Sequence, residues 1–238
     1  MARLEGKIGD DNVIMADFSR LKVHAPYIAF MPQWDFLNFM AEQGKRYPGF
    51  HLRMEAEAVD LIEKNGRITG LMAKTPAGEM EITADLVVDA EGRHSILRDS
   101  AGLKVEDFGA PMDVFWFRVS RRPDDSGATF GRITAGKSMA LINRQDYWQC
   151  GYVIPKGEAE KVQVRGLEAF RASIGELVPM FKDRTGEIKN WDDVKLLTVQ
   201  VNRLKKWWRP GFLCIGDAAH AMYPRSGNGA AQSILDAQ

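Results

Sequence analysis

The stretch that decides the fold is residues 212–237, FLCIGDAAHAMYPRSGNGAAQSILDA. It begins with a short apolar run, which predicts a buried strand. Gly216 and Asp217 end that run, and Gly227 and Gly229 precede a segment of helical composition. A strand that ends in Gly-Asp places a carboxylate at the carboxyl edge of a sheet, where nucleotides bind in open α/β folds. The two later glycines let backbone N–H groups approach a bound anion at a helix N-terminus.

A second stretch has the same organisation. Residues 85–95 are DLVVDAEGRHS, in which an apolar run leads into Glu91 and Gly92. Ser95 suits the N-cap of a short helix that contains Arg98, because its hydroxyl can accept a hydrogen bond from a backbone N–H of the first turn. The sequence therefore predicts a second strand, turn and helix, with its turn at the same kind of sheet edge.

A third stretch, residues 32–37, is PQWDFL. Apolar side chains at 36, 37, 39 and 40 predict one face of a helix over residues 34–46. Gln33 lies just before this helix, at its N-terminal end.

Together, the three stretches resemble the motifs of FAD-dependent aromatic-ring hydroxylases, the group A flavin monooxygenases with the p-hydroxybenzoate hydroxylase fold. The resemblance implies that Asp217 accepts a hydrogen bond from the ribityl hydroxyls of FAD, and that Gln33 lies against the ribityl or phosphate part. The chain departs from the family at Glu91, where most relatives have Asp. The cofactor-binding residues implied by the resemblance are Gly216, Asp217, Pro224, Gly227, Asn228, Gly229, Gln33, Glu91, Gly92 and Arg98.

The resemblance also implies an activity. In the intact family, NAD(P)H reduces FAD, and O2 then serves to hydroxylate an aromatic or similar small apolar substrate. The cofactor carries that chemistry, so no catalytic residue is predicted. His220 is expected to pack or hydrogen-bond within its turn, since no GxSxG nucleophile accompanies it. The four histidines lie in separate segments without metal-ligand spacing, so no metal site is predicted.

Two alternatives to this function stay open. A non-oxygenating FAD-dependent dehydrogenase of the same superfamily would share the motifs, whereas the WxWxIP signature of flavin halogenases is absent.

The chain also contains no GxGxxG, the turn that holds the ADP half of FAD in the family. It is therefore expected to be a flavoprotein interior, truncated at both ends and lacking the first βαβ unit. A catalytically inactive remnant or a binding module is the alternative from another class.

The predicted fold is mixed α/β, with an FAD-type sheet interleaved with an antiparallel sheet. Residues 1–105 and 206–238 are predicted to form a partial FAD-binding domain, and residues 106–205 the substrate domain. Strands in the second domain follow one another without intervening helices, which favours antiparallel pairing. The predicted elements are a hairpin region at 8–31, strands at 27–31, 50–53, 58–63, 68–74, 80–83, 86–89, 114–119, 129–133, 139–143, 147–154, 194–201 and 212–215, and helices at 95–101, 161–174 and about 177–181.

Aromatic residues on the predicted strands suggest a substrate pocket. Because side chains alternate along a strand, Phe115 and Phe117 share one face, and Trp116 and Arg118 share the other. The resemblance implies that one face of this sheet lines the substrate pocket. Trp116, Arg118 and Trp148 are the predicted pocket residues.

Composition limits the partners. Thirty-two basic and thirty-two acidic residues give a formal net charge of zero, and no basic cluster indicates a nucleic-acid partner. No apolar run is long enough to span a bilayer. Cys150 and Cys214 lie in apolar strand contexts without CxxC spacing, so they are expected to be reduced thiols of a cytoplasmic protein.

Overall fold

The computed structural model describes residues 1–125, 127–223 and 229–238. The protein is mixed α/β, as predicted, and its contacts divide the chain into two units. Unit 1 consists of residues 1–48 and 111–198, and unit 2 of residues 49–110 and 199–238.

The regular elements follow one another in chain order. The strands are β1 (Arg3–Ile8), β2 (Asp11–Asp17), β3 (Glu57–Lys64), β4 (Arg67–Thr75), β5 (Gly78–Thr83), β6 (Val87–Asp89), β7 (Val105–Asp107), β8 (Met112–Ser120), β9 (Phe130–Thr134), β10 (Lys137–Asn143), β11 (Tyr147–Pro155), β12 (Lys195–Leu197), β13 (Asn202–Leu204), β14 (Trp208–Arg209) and β15 (Phe212–Cys214). The helices are α1 (Gln33–Gly44), α2 (Ile96–Ser100), α3 (Ala159–Val164), α4 (Leu167–Leu177) and α5 (Gly229–Asp236).

Unit 1 is organised around a seven-stranded sheet with the strand order β12-β8-β11-β10-β9-β1-β2. Neighbouring strands run antiparallel except β1 and β9, which are parallel. One face of the sheet packs on α4, where Phe170 lies 5.7 Å from both Phe115 and Phe117, ring centroid to ring centroid. Trp116 and Arg118 lie on the opposite face and are less buried, so the predicted alternation along β8 is confirmed.

A buried ion pair lies at one end of this core. The Arg184 guanidinium donates to both carboxylate oxygens of Asp125, at 2.7 and 2.8 Å. Arg184 also donates to the backbone carbonyls of Ser120 and Met180, at 2.8 and 2.7 Å. These hydrogen bonds from Arg184 hold the pKa of the Asp125 carboxyl well below its usual range.

The observed units differ from the predicted division at the N-terminus. Residues 1–48 group with the large sheet because β1 pairs with β9, with Glu5 opposite Phe130 and Ile8 opposite Ile133. The β1–β2 hairpin therefore extends the sheet of unit 1. The assignment of an FAD-binding and a substrate domain stays a prediction.

Unit 2 contains the parallel pair expected from the two strand–turn stretches. β6 and β15 are neighbours, with Val88 opposite Leu213 and Asp89 opposite Cys214. This confirms that residues 85–89 and 212–216 lie in one sheet region. The meander of β3, β4 and β5 is confirmed as well. Unit 2 has its own apolar core, which includes Val87, Leu97 and Phe212.

Several predicted elements were wrong. The helix predicted over 161–174 is interrupted at Gly166, whose φ of +89° is incompatible with a continuous helix, and it becomes α3 and α4. Residues 27–31 and 50–53 form no strand in the described chain. The strand predicted over 194–201 is limited to β12, because only three residues pair with β8.

Candidate functional site

The ends of β6 and β15 form one site, which we call the sheet-edge site. Because the two strands are parallel, their carboxyl ends lie at the same edge of the sheet. Glu91 and Gly92 follow β6, and Gly216 and Asp217 follow β15. The structure therefore brings these four predicted residues together.

Asp217 is the accessible acceptor of the sheet-edge site. Its side chain is 40% exposed, and its Oδ2 lies 4.0 Å from the Arg93 guanidinium. The two turns at this edge contain Gly92 and Gly216, with φ of +88° and +60°. An exposed carboxylate beside two glycine turns suits the hydroxyl groups of a polyol, which donate to charged acceptors. This part of the site fits the ribityl chain of FAD.

Glu91 does not fit the same role, because its carboxylate is engaged within the protein. Oε2 accepts hydrogen bonds from the Ser95 hydroxyl at 2.8 Å and from the Leu97 N–H at 3.0 Å. Ser95 caps α2 as predicted, with its Oγ accepting from the Arg98 N–H at 2.9 Å. The Glu91 carboxylate thus stabilises the N-terminus of α2, where a negative charge is favourable.

Arg98 is also engaged within the protein. The residue is 7% exposed, and its guanidinium donates to the carbonyls of Arg93 at 3.3 Å and Ala218 at 3.5 Å. Its Nε donates to Asp99 at 3.0 Å. Arg98 therefore joins the turn after β6 to the turn after β15, and these hydrogen bonds hold the two turns in position.

Asp89 is a buried anchor of the site that sequence reasoning did not nominate. It is 1% exposed, and it accepts from the Glu91 N–H at 2.9 Å. Its Oδ2 also lies 2.6 Å from Ser95 Oγ, so Asp89 and Glu91 share the one proton of that hydroxyl. The Cys214 thiol donates to its Oδ2 at 3.3 Å. Burial and the adjacent Asp89 carboxylate raise the pKa of the Cys214 thiol, so the thiol stays protonated, as a reduced buried cysteine should.

A second missed residue, Asp236, connects α5 to the turn. Its Oδ2 accepts from the Gly216 N–H at 2.9 Å and contacts His220 Nε2 at 2.8 Å. The Trp207 ring centroid lies 5.1 Å from that of His220. We call the contact of Asp236 with Gly216 and His220 the Asp236 clasp. Asp236 lies near the end of the stretch 212–237. That position, in the helix that follows the Gly-Asp turn, was the signal from which its contact with the turn could have been predicted.

The other predicted cofactor residues are Pro224, Gly227, Asn228, Gly229 and Gln33. Pro224, Gly227 and Asn228 are outside the described residues. Gly229 is the first residue of α5. Gln33 begins α1 in unit 1, so its predicted contact with FAD stays a prediction.

Unit 1 contains a second site on the sheet face opposite α4, which we call the sheet-face groove. Its volume is about 730 Å³, which lies within the range of small-molecule pockets. Gln33 and Trp34 of α1 line it together with Trp116 and Arg118 of β8 and Tyr147 of β11. Two of the three predicted pocket residues are therefore in one groove.

The third predicted pocket residue, Trp148, was wrong. β11 alternates, so Trp148 lies on the core face, where it is fully buried. Its ring packs 5.7 Å from Phe130 and 6.3 Å from Phe181, centroid to centroid. Its Nε1 donates to Asp125 at 2.8 Å. Trp148 belongs to the core of unit 1.

Comparison with known proteins adds the following matches. Residues 3–238 match the family described as FAD binding domain. The 6-methylpretetramide 4-monooxygenase of Streptomyces rimosus is 28% identical over 229 residues, which cover 94% of this chain and 54% of that protein. The digeranylgeranylglycerophospholipid reductase of Thermoplasma volcanium is 24% identical over 199 residues, covering 79% of this chain and 47% of that protein. The chain thus spans about half the length of these relatives.

A solved structure shares the fold. OxyS anhydrotetracycline hydroxylase from Streptomyces rimosus superposes with a TM-score of 0.72 at 19% identity, over 99% of this chain and 46% of that one. Among the described residues, no helix has the length and apolarity to cross a membrane.

Proposed function

The chain belongs to the FAD binding domain family, and from this premise we propose that its sheet-edge site holds the ribityl part of FAD in a monooxygenase. FAD is the cofactor of this family. The observation that carries the proposal is the position of Asp217, an exposed carboxylate beside two glycine turns at the shared edge of β6 and β15.

The division of labour among the residues supports this role. Glu91 and Arg98 are engaged within the protein, so they hold the turns in place and leave Asp217 to meet the ligand. Asp236 binds the Gly216 N–H and so restrains the turn from the other side. A preorganised acceptor loses little free energy to reordering when a ligand binds.

The proposed reaction is NAD(P)H- and O2-dependent hydroxylation of an aromatic or similar small apolar substrate. The name of the Streptomyces rimosus relative, a monooxygenase, supports it. Bound FAD supplies the redox chemistry, and this chain's residues bind, orient and shield the reactants. Asp217 orients the cofactor, and the sheet-face groove holds the substrate. No acid or base among the described residues is assigned a catalytic step.

A non-oxygenating FAD-dependent dehydrogenase of the same superfamily is the second candidate. It is favoured by the similarity to the Thermoplasma volcanium reductase. The two candidates differ in the fate of the electrons. A monooxygenase incorporates oxygen into product in step with NAD(P)H oxidation, whereas the second candidate oxidises NAD(P)H without oxygenating a product.

Changing Asp217 to alanine tests the cofactor site. In a fusion of this chain to a strand–GxGxxG–helix segment from a relative, Asp217→Ala removes one charge-assisted hydrogen bond. Such a bond contributes on the order of 1.5–3 kcal/mol, so FAD affinity should fall roughly 10- to 150-fold. The measurement is a flavin fluorescence titration.

Asp85→Ala is the matched control, because Asp85 is an exposed acid of the same unit, close to the start of β6. Its FAD affinity should stay within about twofold of the parent, as expected for a surface substitution away from the site. Equal titration curves for Asp217→Ala and the parent protein would remove Asp217 from the cofactor site.

A further inference from the structure

A short basic and aromatic run links β13 to β14 in unit 2. Residues 203–209 are RLKKWWR, with four basic residues and two tryptophans in seven positions. Sequence reasoning missed this run because the whole chain has zero formal net charge. Its first residues pair with β7, where Arg203 lies opposite Glu106 and Leu204 lies opposite Val105. The run therefore begins on a two-stranded surface whose register is defined.

Two lysines lie opposite each other at the end of this ladder. The Lys205 N–H donates to the Lys104 carbonyl at 3.2 Å, which extends the pairing of β7 and β13 by one step. Directly opposite residues in an antiparallel pair have side chains on the same face, and like charges there repel. Because Leu204 is buried in the core of unit 2, alternation places Lys205 on the outer face. An anion bound between the two ammonium groups relieves their repulsion.

The carboxylates of this surface do not neutralise the lysines. Glu106 pairs with Arg203 at 3.4 Å. Alternation along β7 places Asp107 on the face opposite Glu106, and its Oδ1 accepts from the Gly109 N–H at 2.8 Å. Among the described residues, three neighbouring lysines form no ion pair, and they are Lys104, Lys205 and Lys206. Their ammonium groups are available to an external anion.

Two exposed aromatic rings accompany these cations. Trp208 is 53% exposed, and the Lys206 Nζ lies 4.1 Å from its ring centroid. Phe108 is 56% exposed, and the guanidinium carbon of Arg203 lies 5.4 Å from its ring centroid. Trp208 pairs with Leu213 of β15, which fixes the backbone at this end of the run. Each ring combines apolar surface with a cation, a combination that suits the boundary between lipid headgroups and acyl chains.

We propose that this basic–aromatic patch, formed by Lys104, Lys205, Lys206, Phe108 and Trp208, binds the surface of an anionic lipid bilayer. The lysines pair with the anionic groups of the lipids, and the Trp208 ring lies among the headgroups. The proposal goes beyond the cofactor site and does not depend on it.

A bilayer fits the patch better than other polyanions do. Three unpaired lysines are fewer than the roughly 6–10 phosphate contacts that strong nucleic-acid binding uses. An acidic protein segment matches the lysines, but it gives the exposed rings of Phe108 and Trp208 no role. A lipid surface matches both the charge and the rings.

Vesicle flotation of the 238-residue chain tests the proposal, because vesicles rise through a density gradient and aggregated protein does not. Two vesicle types are compared, phosphatidylcholine alone and phosphatidylcholine with about one-third phosphatidylserine. The chain should float only with the second type. Flotation should weaken as the ionic strength rises from about 0.01 to 0.15 M, since the Debye length falls from about 30 to 8 Å.

Lysine variants measure the contribution of charge. A basic residue near an anionic bilayer contributes about fivefold to partitioning, so Lys205→Gln with Lys206→Gln should lower the partition coefficient roughly 25-fold. Lys104→Gln alone should lower it about fivefold, and this variant decides if circular dichroism shows that the double variant misfolds.

The matched control is Lys22→Gln with Lys74→Gln, which removes the same charge. Both lysines are exposed and form no ion pair among the described residues. Lys22 lies in unit 1, and Lys74 lies near the end of β4. The control should partition within about twofold of the parent protein, as expected for surface substitutions outside the patch.

Trp208 gives a second measurement that does not depend on charge. Phosphatidylcholine brominated close to the headgroup should quench tryptophan fluorescence when the chain binds. Trp208→Phe keeps an aromatic ring, so this variant should still float but should lose most of the quenching. Trp34→Phe is its control, because Trp34 is 73% exposed in unit 1, and it should keep the quenching.

Four results would overturn the proposal. These are equal flotation with both vesicle types, no flotation at an ionic strength of about 0.01 M, equal weakening by the two double lysine variants, and unchanged quenching in Trp208→Phe. Retention on immobilised polyglutamate without flotation also contradicts a bilayer and assigns the patch to an acidic protein.

Discussion

The buried pair of Asp125 and Arg184 is a residue-scale feature with a pH-dependent consequence. Both Asp125 oxygens accept from Arg184, and the pKa of Asp125 lies well below its usual range because of those bonds. A carboxyl whose pKa is lower in the folded state stabilises that state at pH values above its unfolded pKa, about 4. This stabilisation is lost as the pH falls from there toward the folded pKa.

We predict that Asp125→Asn destabilises unit 1. The variant leaves the Arg184 charge buried without its partner, which costs about 3–5 kcal/mol. Urea unfolding at pH 7 measures the loss. The stability of the variant should also decline less steeply below about pH 4 than that of the parent protein, because the titrating group is gone.

Glu176→Gln is the control for this prediction. Glu176 pairs with Lys137 at 2.7 Å, but its side chain is 68% exposed, and exposed pairs contribute little. If both variants unfolded at the same urea concentration, the buried pair would have no special weight in the stability of unit 1.

At the level of single residues, sequence reasoning predicted which turns meet at the sheet edge but not the contacts of every residue there. The position of Gly216 and Asp217 at the carboxyl edge of the sheet followed from a strand that ends in Gly-Asp. The hydrogen bond from the Leu97 N–H to Glu91 could not be predicted, because it depends on how α2 is oriented relative to the turn after β6. Trp148 was placed on the wrong face because the sequence does not show which face of a strand meets α4.

The Asp236 clasp gives a prediction at the scale of elements, since it joins α5 to the end of β15. Asp236→Ala leaves the Gly216 N–H without its acceptor, which costs about 1–3 kcal/mol for a buried donor. We expect unit 2 to lose about that much stability, and the Gly216 amide to exchange its hydrogen faster. Hydrogen exchange followed by NMR measures both.

Asp85→Ala serves again as the comparison, because it removes an exposed acid from the same unit. It should leave the exchange of the Gly216 amide unchanged. Parent-like protection of that amide in Asp236→Ala would show that the clasp does not hold the turn.

Elements with local signals were predictable. The meander of β3, β4 and β5 has turn residues between its strands, and α2 has its Ser95 cap. The pairing of β1 with β9 was not predictable, because it joins segments separated by more than a hundred residues through backbone hydrogen bonds. The break at Gly166 was missed because a single glycine in a helical pattern is tolerated in many helices.

At the scale of the whole molecule, many apolar side chains are exposed. Trp34 is 73% exposed on α1. Leu86, just before β6, is 53% exposed, and Val88, within β6, is 48% exposed. Exposed apolar patches of this kind favour association. The sequence also lacks GxGxxG, whose backbone N–H groups and helix dipole neutralise the pyrophosphate of FAD.

We therefore predict that the 238-residue chain, expressed alone, purifies without a flavin spectrum and self-associates as its concentration rises. Absorbance after removal of unbound FAD measures the first, and light scattering across a dilution series measures the second. Val88→Thr and Trp34→Gln should reduce association without restoring flavin. A monodisperse monomer with stoichiometric FAD would contradict the prediction and show that the glycine-rich turn is dispensable.

The parallel pairing of β6 with β15 has a consequence for synthesis on the ribosome. Asp89 and Cys214, which are in contact in the folded core, lie 125 positions apart in the chain. At a translation rate of about 5–20 residues per second, β6 is synthesised roughly 6–25 s before its partner strand. During that interval its backbone edge is open to other chains. We expect the nascent protein to be most prone to aggregation, and most open to chaperone binding, while residues 90–211 are being made.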